Sequence, residues 1–312
     1  MSEATQPALR PHVLYMPGLD GLRAVAVLGV LLYHAELPVA RGGFLGVEVF
    51  FVISGYLITM LLYAEWRATG RIDVRRFWLR RARRLLPALV LLIAATLAIT
   101  ALLQPDDLLT FRDDALAALT YVMNWQLILN HSSYFDRVGR TSLQHLWSLA
   151  IEEQFYLVWP LLFGALVCYM RRTALVIVVL AGAVASTLLM ALLFVPDSDP
   201  SRIYYGTDTR AAGLLFGAAF ALVWRLGHAD NLQRVPHWLI EVVGVSALGA
   251  LLGCFNQLDE FQPLLYRGGF TLIALLTIAV IAAVAHSQAT LAKLLSWSPL
   301  RWIGTRSYGL YL

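Results

Sequence analysis

The sequence predicts an all-α fold, a polytopic transmembrane helix bundle with about nine spans in the 312 residues given. Three observations predict it. Hydrophobic residues make up 59% of the chain and charged residues only 14%, whereas a soluble domain carries about 25% charged residues to keep its surface wet. Mean hydropathy is +0.67. Apolar segments of about the bilayer's length recur along the chain. Together these exclude a soluble globular enzyme, a disordered chain and a coiled coil. The two cysteines, Cys168 and Cys254, lie in apolar stretches and give no disulfide framework or metal-ligand spacing, so no metal is expected. The net charge is +4. A membrane protein collects such charge on one side, and no nucleic-acid partner is expected.

Each element follows from its composition. The first span, Leu19–Leu37, carries Asp20, Arg23, His34 and Glu36; the second, Phe44–Tyr63, carries Glu48. The basic stretch Arg71–Arg84, interleaved with Ile72, Phe77, Trp78 and Leu79, reads as an interfacial helix on anionic lipid. Leu85–Leu103 follows with no charge. Ala115–Leu129 is short and includes Asn124 and Gln126, which suits a re-entrant or interfacial piece. Further spans are Leu146–Tyr169, Ala174–Val195, Ala211–Trp224, Val242–Leu258 and Gly268–Ala285. A ninth starts at Trp302 and stops at Leu312, so the single domain 1–312 is expected to be C-terminally incomplete. There is no cleavable signal pattern.

Charge orients the bundle. If residues 115–129 do not cross, Arg67–Arg84, Arg171/Arg172, Arg225/Arg234 and Lys293/Arg301 fall on one side. Acidic loops containing Asp106, Asp113, Asp197 and Asp259 fall on the other. The positive-inside rule then puts the N-terminus in the cytoplasm and residues 104–145 outside.

Ionisable groups inside a span cost about 2.5–3.5 kcal/mol each on insertion scales and are functional candidates by default. Arg23 and His34 are 11 residues apart, three turns plus about 20°, so they share one helix face about 16 Å apart along the axis. His145, Ser148, Glu152 and Tyr156 recur at steps of three and four and form a second stripe. Asp208 suits an N-cap before Arg210. Glu48 needs a partner, and an Arg or His of the first span would serve. The bland alternatives are a snorkelling Arg23, an interfacial His34 and a polar zipper along the second stripe.

The stretches PGLDGLRAVAVLGVLLYHA, GGFLGVEVFFVISGYLIT, FWLRRARRLLPA, HLWSLAIEEQFYLVWP, DTRAAGLLFGA and SYGLYL together resemble the acyltransferase-3 family of integral membrane acyltransferases. The likeness is strongest to members that O-acetylate cell-surface glycans, and it covers nearly the whole chain. It implies about ten spans in the full domain and a multi-pass protein of the cell (inner) membrane. It also implies an acyl-CoA donor, acetyl-CoA in the first instance, taken from the cytoplasm. The acceptor would be a hydroxyl of a glycan or lipid-linked sugar on the outer side. No tightly bound cofactor is implied. By the resemblance, the family's arginine and histidine fall on Arg23 and His34. Its Phe-Phe and Ser-Gly elements fall on Phe50, Phe51, Ser54 and Gly55, its Ser and Glu on Ser148 and Glu152, and its polar arginine cluster on Arg210. The family's SYGLYL end runs on into a further aromatic and histidine-containing stretch, and some relatives add an SGNH-type hydrolase-like domain.

Acyl transfer from a thioester needs a base for the acceptor hydroxyl and donors for the developing oxyanion. His34 is expected to deprotonate the acceptor or to receive the acyl group first. Glu152, with Ser148, is expected to orient His34 or stabilise its charged form. Arg23 binds the donor, helped by Arg210, Phe50, Phe51, Ser54, Gly55, His145 and Tyr156, and the Arg75–Arg84 cluster attracts the phosphates of CoA. The rival reading is a transporter or flippase without chemistry, because intramembrane Arg, His and Glu also mark transport pathways.

Overall fold

The computed structural model describes residues 15–135, 141–224, 236–286 and 289–312, and no strand occurs among them. Helix α1 (Pro17–His34) opens with proline at its first position, where the ring presets the helical φ and no N–H is missed. It ends as Glu36 turns into the left-handed region (φ 57). Helix α2 (Gly46–Thr69) stops at Gly70, whose φ of 71 lets its N–H bond the Trp66 carbonyl, a left-handed C-terminal cap that glycine adopts without strain.

Helix α3 (Val74–Leu103) is capped by Asp73, which accepts from the Arg76 N–H at 2.9 Å. The stretch Arg71–Arg84 is therefore not a separate interfacial helix: from Val74 it forms the first turns of a 30-residue helix, about 45 Å long. The helix runs on through Pro87, which removes only the ladder bond to the Arg83 carbonyl. Much of α3 faces outward, with Leu91 71% and Leu102 81% exposed, as a lipid-facing helix would be.

Helices α4 (Leu108–Leu119) and α5 (Met123–Leu129) have 12 and 7 residues and are separated at Tyr121, whose φ is 57. Neither is long enough to cross a bilayer. A clasp holds α5 inward. Asn124 donates to the Tyr205 carbonyl (3.0 Å) and Thr207 (2.9 Å), and Gln154 donates to Asn124 (2.9 Å).

Among the described residues, six segments are long and apolar enough to span: Pro38–Thr69, Val74–Leu103, Gln144–Tyr169, Arg172–Leu193, His237–Gln257 and Leu265–Ala285. They contain α2, α3, α6 (Trp147–Tyr169), α7 (Arg172–Leu193), α8 excepted, since Ser201–Tyr205 is a five-residue turn, and then α10 (His237–Gln257) and α11 (Phe270–Ala285). The protein is a multi-pass membrane protein, and six of the nine expected spans are of spanning length and apolarity among the described residues. The first span and α9 (Thr207–Val223) are interior helices of 18 and 17 residues with polar ends. The segment from Trp302 is broken at Arg306 into α13 (Ser298–Thr305) and α14 (Ser307–Tyr311), after the short α12 (Thr290–Leu295).

The bundle closes through small residues. A Cβ on Gly55 would collide with the Leu214 carbonyl and one on Gly217 with the Val52 carbonyl, so α2 and α9 approach backbone to backbone. This contact fixes the rotation of α2, and with it the direction in which Ser54 points.

Candidate active site

Two cavities lie at opposite ends of α1. The first, of about 150 Å³, is lined by Arg23, by Phe50, Phe51 and Ser54 of α2, by Arg81 and Arg84 of α3, by Ser148, Glu152, Glu153 and Tyr156 of α6, and by Ser307, Tyr308 and Tyr311 of the C-terminal segment. The (i, i+4) steps from Ser148 to Glu152 and Tyr156 put all three on one face of α6. Glu152 accepts from the Ser54 hydroxyl and from the Tyr156 hydroxyl (2.9 Å). The Arg81 guanidinium stacks 3.4 Å above the Tyr156 ring, a cation–π contact, and Trp78 donates to the Tyr156 carbonyl at 3.0 Å. Three guanidinium groups thus share one cavity with two carboxylates. The buried Nε atoms of Arg23 and Arg81 and one Glu153 oxygen have no hydrogen-bond partner, so the cavity keeps unused polar capacity for a ligand.

The second cavity, of about 320 Å³, is lined by Tyr33, His34, Glu36, Arg41, Phe135, Asp259 and Glu260, among others. The His34 Nδ1 lies 2.8 Å from the Val30 carbonyl. A carbonyl only accepts, so Nδ1 carries the proton and Nε2 the basic lone pair. The ring is exposed and stands edge-on to Tyr33 at 5.3 Å.

Tyr311, in the wall of the first cavity, is joined to His145, which lines neither cavity. The Tyr311 hydroxyl donates to the His145 carbonyl at 2.7 Å. Having one proton, it must then accept from the Ser148 hydroxyl, 2.6 Å away. The His145 ring lies 6.0 Å from that of Tyr311.

Several expectations are redrawn by these positions. Arg23 and His34 open into separate cavities rather than along one shared path. Glu152 is engaged by Ser54 and Tyr156, and the Val30 carbonyl orients His34 instead. Asp208 is not the N-cap of α9; Gly206 is, and Asp208 in the first turn pairs with Arg202 at 2.8 Å. Glu48 finds its partner not on the first span but in Arg210, at 3.0 Å. Arg210 is 1% exposed and lies outside both cavities, lining a third, small one with Glu48, Thr209 and Phe270. Its guanidinium carbon is caged by Phe270 (4.0 Å), Tyr204 (5.2 Å) and Phe51 (5.5 Å). Its Nε and Nη1 make no hydrogen bond. Gly55 also lies outside both cavities, packed on Leu214.

The sequence reasoning did not single out Glu153, Tyr308 or Tyr311. It read Arg81 and Arg84 as part of a basic surface. Their spacing from Phe77, at four and seven residues, was the available signal, because it places both on the helix face that carries that buried ring.

A family model described as an acyltransferase domain matches residues 16–312. This chain belongs to the acyltransferase-3 family. The acyltransferase domain is 43% identical over 301 residues to the peptidoglycan O-acetyltransferase OatA of Listeria monocytogenes, with 96% of this chain and 48% of that one covered. It is 46% identical over 306 residues to the putative peptidoglycan O-acetyltransferase YrhL of Bacillus subtilis, with 96% and 48% covered. It is 40% identical over 299 residues to the O-acetyltransferase OatA of Staphylococcus aureus, with 96% and 50% covered. The acyltransferase domain spans about half the length of these curated relatives. No solved structure matches it.

Proposed function

We propose that the protein is an O-acetyltransferase that moves an acyl group, in the first instance acetyl, from acyl-CoA to a hydroxyl of a cell-envelope glycan such as peptidoglycan. The observation that carries this reading is the pair of cavities at the two ends of α1, one cationic at Arg23 and one holding the free Nε2 of His34. A donor with phosphates suits the first. An acceptor hydroxyl suits the second, which Tyr33, His34, Glu36, Arg41, Asp259 and Glu260 line with hydrogen-bonding groups. Basic loops near the Arg23 end support an orientation of that cavity toward the cytoplasm of the cell membrane, with the N-terminus inside.

In this reading Arg23 binds the donor, with Phe50 and Phe51 along its apolar arm. The donor's arm carries the thioester to the His34 side, where the acceptor hydroxyl loses its proton to His34 Nε2 as its oxygen bonds the acyl carbon, the C–S bond breaks, and the departing thiolate takes that proton from His34. Ser54, Ser148, Glu152 and Tyr156 supply the hydrogen-bonding wall around the donor in the Arg23 cavity. Arg210 and Gly55 act by holding α2 and α9 in register. The test is thiol release. Membranes containing the protein should free CoA thiol from acetyl-CoA when peptidoglycan disaccharide fragments are added, and acetyl should appear on the sugar. No thiol release, with the sugar unmodified, contradicts the reading.

A further inference from the structure

The His34 cavity is walled by two chain segments that are locked to each other. The Gly42 N–H donates to the Phe255 carbonyl at 2.8 Å, and a Cβ on Gly42 would collide with the Cys254 carbonyl. The segment after α1, which supplies Glu36 and Arg41, is thereby fixed against the end of α10, which leads into Asp259 and Glu260. The turn beyond α10 is pinned in its own right. The Asp259 carboxylate accepts from the Phe261 N–H at 3.0 Å, and the Tyr266 hydroxyl donates to the Glu260 carbonyl at 2.7 Å. A rim held in shape in this way spends little ordering entropy when a ligand binds.

This turn presents Phe261, which is 56% exposed. A lone exposed apolar side chain needs no explanation, but Phe261 does not stand alone. Its ring lies 5.3 Å from that of Phe135, which lines the cavity, and Phe135 lies 5.3 Å from the buried Tyr204 behind it. Phe261 is thus the outermost ring of an aromatic row that runs from the core to the cavity wall. Beside that row are the cavity's carboxylates and the free Nε2 of His34.

A pyranose ring carries the matching pair of surfaces. Its hydroxyls project from the ring edge and donate to carboxylates. Its axial C–H bonds form an apolar face whose hydrogens bear a slight positive charge, which suits the negative face of an aromatic ring. A sugar laid flat on Phe261 buries its C–H face and leaves its edge hydroxyls for Asp259, Glu260 and His34.

Resting on the acyl-transfer reading above, we propose that Phe261, backed by Phe135, is the stacking platform for a pyranose ring of the glycan acceptor. It is a positioning residue: no bond is made or broken at it, and it acts by presenting one sugar hydroxyl to His34. It separates glycans from other alcohols, because a small alcohol has the hydroxyl without the C–H face.

The test compares wild type, Phe261→Ala and Phe261→Trp. Binding of peptidoglycan disaccharide fragments to the detergent-solubilised full chain is measured without donor. The alanine variant raises the Kd by about 10-fold, equivalent to about 1.4 kcal/mol, and the tryptophan variant returns it to within twofold of wild type. In turnover with acetyl-CoA, the disaccharide KM follows the Kd while kcat stays within twofold, and kcat/KM with ethylene glycol as acceptor is unchanged in both variants. A disaccharide Kd that is unchanged in Phe261→Ala, a loss that tryptophan does not recover, or an equal loss with ethylene glycol overturns the platform and leaves the acyl-transfer reading intact. A wild-type protein that binds the disaccharide through Phe261 but never consumes acetyl-CoA overturns that reading and leaves the sugar platform standing.

Discussion

Arg210 and Glu48 form an ion pair at 3.0 Å with side-chain exposures of 0% and 2%, joining α9 to α2 beside the wall of the Arg23 cavity. Burying both charges is worthwhile only because each is the other's counter-ion and the aromatic cage takes up the cation.

Removing one partner strands a buried charge. Arg210→Ala is expected to lower stability by about 3–5 kcal/mol, and Glu48→Ala to do the same. The double variant should lose less than the sum of the two, because it leaves no orphan. Thermal unfolding of the detergent-solubilised variants measures this, and simple additivity would show that the two side chains do not depend on each other.

Gly55→Ala places a methyl against the Leu214 carbonyl. Overpacking of this kind costs about 1–3 kcal/mol. Folded protein should fall, while donor KM in the folded fraction stays put. An unchanged unfolding midpoint with a raised KM would instead make Gly55 a binding residue.

Tyr156→Phe removes the 2.9 Å donor to Glu152 but keeps the ring under Arg81. A hydrogen bond to a charged group is worth about 1.5–3 kcal/mol, so kcat is expected to fall about 10–100-fold with the fold preserved. Ser54→Ala should fall by a similar factor. Wild-type kinetics in both would take Glu152 out of the chemistry.

Asp208 lies before the apolar stretch of α9, and burial pushes its carboxyl up. The hydrogen bonds and charge of Arg202 outweigh that and hold it below the usual aspartate value. A lowered folded pKa gives stability that is present above the unfolded value, near 3.9, and is lost as pH falls through the folded one. The pair is partly exposed, so the gain is under about 1 kcal/mol. Wild type should therefore melt slightly above Asp208→Asn from pH 8 down to about 5, and the gap should close in more acid solution. A gap that widens in acid would reverse the assignment.

The long apolar helices were legible because lipid demands uninterrupted backbone bonding, and the Ser148, Glu152 and Tyr156 face was legible from its period alone. The pairing of Glu48 with Arg210 was not. The two residues are far apart in sequence, and charge type alone could not choose among several arginines. The split of the Arg75–Arg84 run was hidden because a cluster of like residues reads as one surface until its helical phase is fixed by the cap at Asp73. Tyr308 and Tyr311 were hidden because SYGLYL looks like the start of a span, whereas Arg306 breaks the helix and turns both tyrosines toward the cavity. The separation of Arg23 from His34 into two chambers arises from residues of α6 and α14 that no reading of α1 could supply.

The most direct test uses sealed vesicles of known orientation, with acetyl-CoA confined to the Arg23 side and peptidoglycan disaccharide fragments to the His34 side. CoA thiol should accumulate on the donor side and acetylated sugar on the other. Arg23→Ala should raise donor KM, and His34→Ala should abolish both products. Sugar acetylation that persists in His34→Ala, or that occurs only when donor and acceptor share the His34 side, would contradict transfer across the bundle.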